Sequence, residues 1–570
     1  MRRAAALLAL VVAILPAPAA GAQEGPRAIL ILGSPGITYE DAVADQDLRA
    51  AAASGGIGLM TTHADDPEDA VRVVLDGGAE GEGDLLVEAA EEAGLTVGSA
   101  GSPETGLVLV GPGPVDLQGA LESAGGLEVL LIVAFPHPSP SMRERGDVVT
   151  PLVVARGPAE EILAEGGSVA GLTSETTQRE GLVANVDVAP TVLSHLGVPI
   201  PAAMTGSPIE IEGETPGDLH ARFLDIRAVR LGLQLLLLAV ALAALVAVGL
   251  FLRLRPPAPE VAKALGVWTL VAIALPLALL PVSVLPRVTW VTALGIAAIL
   301  TAAIVAGAWV VGRRDAPAAV ALVGAAGLVL LVLDGLQGWP GMMMPVIGGG
   351  ALDGARFHGI GNVYAGVLLA GAVLVAAHLR PWVGVALLAG SGLFAGLPGL
   401  GSNFGAATTL FAAAGLWGAL RLRRRLGPLE VAIAAATAVA GAAAIVLAHR
   451  FLGPDVSHIA RAADEAGRGG LVALLEIAAR RLAINLELTS RVPAAWLVIV
   501  ALGAAAWAAA RRRGHLSRDP EWRDACLVLA LSALVGFVVN DTGIGLAGLA
   551  FAFLAAALAY PALEAAWTRR

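Results

Sequence analysis

Hydrophobic and polar positions follow two different patterns along this chain. From about residue 23 to residue 227 short apolar runs of strand length alternate with stretches of helical spacing. The runs at Ala28 to Gly33, Gly106 to Val110, Glu128 to Ala134, Pro151 to Ala155 and Val169 to Thr173 predict strands. Helices are expected near Asp47 to Ser54, Asp84 to Ala93 and Val115 to Ser123. Alternation of this kind predicts an α/β domain, a parallel or mixed sheet covered by helices. From about residue 228 to residue 570 the pattern changes to long apolar runs separated by arginines. Runs near 231–252, 264–285, 289–312, 316–336, 362–379, 382–399, 404–420, 429–449, 494–510, 524–540 and 543–562 predict an all-α polytopic domain of about eleven spans. The glycine-rich pair within 382–420 also fits a re-entrant element.

Composition supports this division. With 56% hydrophobic residues and a mean hydropathy of +0.75, the chain exceeds what an ordinary soluble protein carries, so a lipid bilayer is an expected partner. The arginines set an expected orientation. Alternate connections hold Arg253, Arg255 and Lys263, then Arg313 and Arg314, Arg380, Arg421 to Arg425, Arg511 to Arg523, and finally Arg569 and Arg570. The short connections between them carry only Arg287 and Arg356. By the positive-inside rule the arginine-rich side is cytoplasmic. The α/β domain is then extracytoplasmic, and the C-terminus of a multi-pass plasma-membrane protein lies in the cytoplasm. Residues 1–22, with Arg2, Arg3, an apolar stretch and Ala20-Gly21-Ala22, read as a secretory signal peptide, which agrees with that orientation. The net charge of −11, with an acidic balance in the exported domain, argues against nucleic acid as a partner. Cys526 is the single cysteine, so neither a disulfide framework nor a thiolate metal site is expected.

Three segments of the N-terminal domain carry a family resemblance: ILILGSPGIT from Ile29, SGGIGLMTTH from Ser54, and the run from Val149 to Gly206, which closes on GLTSETTQREGLVANVDVAPTVLSHLGVPIPAAMTG. Together they resemble the alkaline phosphatase superfamily over about 180 residues. From the residues themselves, Asp187 reads as a helix N-cap, with Pro190 in the first turn. The resemblance implies a Ser or Thr nucleophile between two divalent metals held by Asp and His. Carried onto this chain, Thr61 or Thr62 would be the nucleophile, and His63 and His137 would be metal ligands. Where the family has an aspartate after its first strand, this chain has Gly33-Ser34. Where it has Asp-His-Gly, this chain has Phe135-Pro136-His137-Pro138. The expectation is therefore a phosphatase-like domain without catalysis and without a cofactor. Zinc or manganese would be required only if the domain is active.

The distinctive polar sequence of the second half falls in connections assigned to the exterior. WPGMMMPVIGGGALDGARFHGIGN, in exterior loop 337–361, holds Asp353, Arg356, His358 and Asn362; Ser402 and Asn403 follow in the next such connection, and Asn540 and Asp541 in the last. A guanidinium and an imidazole beside glycine-rich backbone suit a phosphate or carboxylate. Arg356, His358, Asn362, Asn403, Asn540 and Asp541 are accordingly the candidate substrate-binding residues. The long exterior loop 450–493 holds His458 and LVALLEIAARRLAI, whose spacing predicts an amphipathic helix. ARFHGIGNVYAGVLLAGAVL and GLGSNFGAATTLFAAAGL, followed by this loop, resemble the O-antigen ligase and polymerase families. That resemblance implies a polyprenyl-linked or phosphate-bearing envelope substrate, with Arg356 on the pyrophosphate and His458 as catalytic base. The family's Ser-Arg pair stands here as Ser402-Asn403. The leading expectation is an envelope membrane protein with a non-catalytic phosphatase-like ectodomain and an outer-face substrate site. The alternatives are a membrane-anchored metal-dependent phosphohydrolase or phosphotransferase, and an envelope sensor or assembly scaffold.

Overall fold

A computed structural model describes residues 27–567, except 63–65, 79–83, 99–105, 114, 123, 125–126, 165–167, 254–258, 355, 453–478 and 488–518. The expected signal peptide, His63, His458 and the apolar run 494–510 lie outside the described residues. The chain forms two compact units: Met1–Ala228 with Gly350–Phe357, and Val229–Gly349 with His358–Arg570.

The first unit is an α/β sandwich. In chain order its elements are β1 (Arg27–Gly33), α1 (Tyr39–Ala44), α2 (Gln46–Ala53), β2 (Gly55–Thr61), α3 (Pro67–Asp76), α4 (Leu85–Glu92), β3 (Val97–Gly98), β4 (Leu107–Gly113), α5 (Leu117–Glu122), β5 (Glu128–Ala134), α6 (Pro140–Glu144), β6 (Thr150–Pro158), β7 (Leu172–Ser174), β8 (Leu182–Ala184), α7 (Val188–His195) and β9 (Ile209–Ile211). Among the described residues seven strands form one sheet in the order β3-β4-β1-β5-β6-β2-β8, and β7 pairs with β9 separately. β6 runs antiparallel to both its neighbours, while β4, β1 and β5 are mutually parallel and β8 is parallel to β2. β1 and β5 are buried along nearly their whole length. Continuous apolar runs such as ILIL and VLLIV have this origin, because helices cover both faces of a largely parallel sheet.

The second unit is helical. Its elements are α8 (Gly217–Arg253), whose first turns belong to the other unit, then α9 (Pro259–Ala278), α10 (Trp290–Gly312), α11 (Ala316–Leu336), α12 (Pro340–Met343), α13 (Asn362–Ala376), α14 (Pro381–Gly396), α15 (Phe404–Arg423), α16 (Pro428–Leu452), α17 (Pro520–Val539) and α18 (Gly543–Trp567). Residues 479–487 are also helical. Among the described residues seven helices are long and apolar enough to cross a membrane, which makes the chain a multi-pass membrane protein. The expectation was eleven. The runs at 362–379 and 382–399 form helices of only 15 and 16 residues, too short for that class. α15 is longer, but it carries Thr408, Thr409, Gly405, Gly415 and Gly418 and falls outside the seven.

The brevity of α13 has a packing cause. Fifteen residues rise only about 22 Å, against roughly 30 Å of hydrocarbon. Nearly every side chain of α13 is buried, and it packs against α11, α14, α17 and α18. Glycines allow the approach. A Cβ on Gly371 would lie 2.5 Å from the Gly324 carbonyl oxygen of α11, and one on Gly366 would lie 2.2 Å from the Leu546 carbonyl oxygen of α18. Close backbone contact through small residues is the main way helices associate where lipid supplies no hydrophobic drive. α14 and α15 form a tight hairpin closed by Asn403 N to Ala395 O (2.8 Å) and Gly401 N to Phe394 O (2.9 Å).

Candidate functional site

The carboxyl ends of β1, β2 and β5 reach the same edge of the sheet, because these strands run in one direction. The turns that follow them are in contact. The Phe135 ring packs on Gly33, where a Cβ would lie 2.3 Å from Cε1. Thr62 Oγ1 donates to the Pro136 carbonyl at 2.8 Å. Thr61, the last residue of β2, is 1% exposed, and its hydroxyl has no hydrogen-bond partner. His137 is buried and the Arg143 guanidinium contacts its Nε2. A guanidinium only donates, so Nε2 accepts and its lone pair is engaged. A divalent cation at that nitrogen would displace, and be repelled by, a neighbouring positive charge. Among the described residues no group of three His, Cys, Asp or Glu side chains is arranged to hold a metal ion. Among the described residues, the donors at this edge, hydroxyls with one engaged imidazole, do not by themselves make a two-metal phosphatase centre.

The closing segment Gly171–Gly206 folds around one buried carboxylate. Asp187 accepts hydrogen bonds from Ser174 Oγ (2.7 Å), Thr176 Oγ1 (2.5 Å), Ala184 N (2.9 Å) and Ser207 N (3.0 Å). Asp187 stands at the expected N-cap position of α7, but not with the expected capping bond. Residues 185–187 form a 3-10 turn, and the Asp187 side chain makes no capping bond to α7 because it points back toward the Thr-rich turn. Burial pushes this carboxyl above the usual carboxylate range, against the opposing pull of its four donors. Thr191 joins the same knot, donating to Asp187 O (2.6 Å) and accepting from Ile209 N (2.8 Å). Gly206 is required by its approach to Val186, whose carbonyl oxygen would lie 2.0 Å from a Cβ. Ser174, Thr176, Thr191 and Asp187 of the segment are thus occupied within this knot.

A second polar cluster stands at one end of the helical unit. Asn403 caps α15 by accepting from Ala406 N (2.9 Å), and its Nδ2 donates to Asn362 Oδ1 (2.7 Å) and Ile360 O (3.0 Å). Asn362 Nδ2 donates in turn to Thr542 Oγ1 (2.5 Å). The backbones lie close here: Ile360 N donates to Gly401 O (2.9 Å), and a Cβ on Gly359 would lie 2.1 Å from that oxygen. Asn540 is buried against Gly405, with Nδ2 bonded to Gly536 O (2.9 Å). Asn485, from the helical segment 479–487, donates to Asn540 O (2.6 Å) and Phe537 O (3.0 Å) and accepts from Ile544 N (3.2 Å). Asn362, Asn403 and Asn540 are buried, whereas Asp541 and Thr542 are exposed. His358 is half-buried in the loop that enters α13. Arg356, also half-buried, belongs to the α/β unit with the rest of Gly350–Phe357.

The opposite ends of these helices carry ion pairs. Arg421 meets Glu521, Arg423 Nε lies 3.0 Å from Glu430, and Arg523 lies 3.0 Å from Asp524. The helical unit is therefore asymmetric, with buried amides at one end and arginine–carboxylate pairs at the other. Sequence reasoning missed Asn485, although its place beside two arginines in an amphipathic stretch was a usable signal. It also missed Asp187 as an acceptor, for which the Ser and Thr residues upstream were the signal. No known family model, curated protein or solved structure matches this chain.

Proposed function

We propose that this chain is an envelope membrane protein whose helical unit binds or processes a lipid-linked anionic or glycan substrate at the outer face of the plasma membrane. In this reading its α/β domain is alkaline phosphatase-like in fold and non-catalytic. One observation carries the reading: buried Asn362 and Asn403 form a hydrogen-bonded amide cluster that opens on exposed Asp541 and Thr542, at the end of the bundle away from the arginine pairs. Amides and hydroxyls in a fixed network are suited to sugar hydroxyls. The loop that leads into Asn362 carries Arg356, whose guanidinium supplies positive charge for a phosphate, and His358, a further polar side chain. Polar groups at a membrane boundary are costly unless they are paired or used, and this cluster provides both.

The test is binding of a polyprenyl pyrophosphate probe to the full chain in nanodiscs. Arg356→Ala and Asn362→Ala should each weaken binding about tenfold, the loss of one charge-assisted or buried hydrogen bond. Wild-type affinity in both variants would sink the reading and leave a sensor or scaffold.

A second reading, a metal-dependent phosphohydrolase, is favoured by the meeting of the β1, β2 and β5 turns around Thr61 and Thr62. Hydrolysis of a phosphate ester that depends on added zinc or manganese, and that is lost in Thr61→Ala or Thr62→Ala, would establish it instead.

A further inference from the structure

The glycine-rich loop that carries Arg356 is held by polar side chains arranged along α8. Arg227, Arg230 and Gln234 stand at i, i+3 and i+7, one face of a helix. Within the α/β unit, Arg227 Nη1 pairs with Asp353 Oδ1 at 3.0 Å, and Arg227 Nε donates to Gly146 O at 3.1 Å. Within the helical unit, Gln234 Nε2 donates to Val346 O at 2.8 Å, and Arg230 Nη2 donates to Gly348 O. Asp353 also closes the loop on itself by accepting from Gly350 N at 3.0 Å. On the other side Arg179, in the Thr-rich turn of the closing segment, donates from Nε to Phe357 O at 3.0 Å. The side chains of Arg227 and Asp353 are only 26% and 17% exposed, so the pair is partly shielded from water and counterions.

The first turns of α8 are themselves fixed. His220 is fully buried, with Nδ1 3.0 Å from Glu40 Oε1 and Nε2 3.2 Å from Asp147 Oδ1. Asp147 follows Gly146, the second acceptor of Arg227. Residues of α1, of the turn before β6 and of the loop 350–357 are therefore joined through one helix. A loop rich in glycine has a high entropy cost of ordering, and side-chain clamps of this kind are what can hold it.

We infer that Arg227 and Arg179 are positioning residues, a latch by which the α/β domain fixes the segment Gly350–Phe357 and with it the placement of Arg356. The functional consequence rests on the outer-face binding site proposed above; the latch itself does not. It assigns the α/β domain a use: it adds outside anchors to a glycine-rich loop that closes on itself through Gly350 and Asp353.

The latch is tested on the full chain in nanodiscs by hydrogen exchange of the amides of 350–357 and by tryptic cleavage after Arg356, both without substrate. Arg227→Ala and Asp353→Ala should each speed exchange and cleavage about fivefold or more, with other sheet and helix amides unchanged. Asp353→Ala leaves α8 untouched and guards against a folding defect. The charge swap Arg227→Asp with Asp353→Arg should return both rates to within about twofold of wild type, as expected when a pairwise interaction is restored. Unchanged rates in the single variants, or no recovery in the swap, would overturn the latch. If the single variants loosen the loop while probe binding keeps its wild-type affinity, the latch stands and the binding site on this loop falls.

Discussion

The Asp187 knot and the Asn362–Asn403 cluster are both buried and both dense in hydrogen bonds, yet their polar atoms lead in different directions. Three of the four donors on Asp187 come from the segment Gly171–Gly206 and the fourth from Ser207, the residue that follows it, and Asp187 has no exposed surface. The asparagines bring together the ends of α13, α15, α17 and α18, and their chain of bonds ends on Thr542 at the surface. One network closes a loop onto a sheet; the other gathers four helix ends and reaches the surface at Thr542. Convergence of polar residues does not by itself make a site, and an outlet to solvent is what separates these two.

The comparison breaks most readily at Asp187. In Asp187→Ala two hydroxyls and two backbone N–H groups lose their acceptor, and each buried orphan costs about 1–3 kcal/mol. A loss on the order of 4 kcal/mol or more is expected, visible as collapse of protease resistance in the α/β domain of the full chain. Asp187→Asn should also destabilise, since an amide NH2 would face donors. Near-wild-type stability in Asp187→Ala would mean that the knot is not structural, and would reopen a functional role for it.

A somewhat smaller effect is expected where the helical unit depends on glycine. Gly366→Ala puts a methyl against the Leu546 carbonyl and forces α13 from α18. Overpacking of this kind costs about 1–3 kcal/mol, read as a lower unfolding temperature in detergent. Gly295→Ala on α10, where a Cβ meets nothing within 4 Å, is the control and should be silent.

A double-mutant cycle on Asn362 and Asn403 sharpens the other half of the comparison. Asn403→Ala should cost about 1 kcal/mol as a lost helix cap, and the coupling between the two residues should be about 0.6 kcal/mol, typical of interhelical hydrogen bonds in membranes. Zero coupling in unfolding measurements would mean that the two amides act separately.

How much of this could be read in advance differs between the regions. AILILG and EVLLIVA announce their strands because burial on both faces leaves an unbroken apolar run. β8, only Leu182–Ala184, is too short for any period, and α3 was also missed. Asn362, Asn403 and Asn540 stood out as polar residues beside apolar runs, but nothing in the sequence says that Asn403 turns its amide toward Asn362. The ends of α13 were overestimated because an apolar run tells how far a helix can extend, not where packing against α18 and α11 stops it. The pair Arg227–Asp353, 126 positions apart, depends on how the chain folds back and has no local signal. The polar spacing of Arg227, Arg230 and Gln234 at the start of an otherwise apolar helix was the trace it left.

The smallest predicted effect separates the two regions by pH. The asparagine cluster has no titratable member, whereas His195 in α7 titrates within the α/β domain. Burial, helped by the nearby positive charge of Arg156, holds its imidazole below the ordinary value, outweighing its contact with Arg27 O at 3.1 Å and the charge of Glu128. The sign follows from proton uptake. Below about pH 6.5 the unfolded chain takes up a proton at this histidine that the folded chain refuses until its lower value is reached. His195 therefore makes the folded state lose stability as pH falls through that window, with no effect above it, where both forms are neutral. Unfolding of the α/β domain followed at pH 7.5, 6.5 and 5.5 should show wild type losing stability relative to His195→Gln as pH falls, beyond a constant offset, since His220 and Asp187, both raised, act alike in the two proteins. Parallel pH profiles would remove His195 as the source.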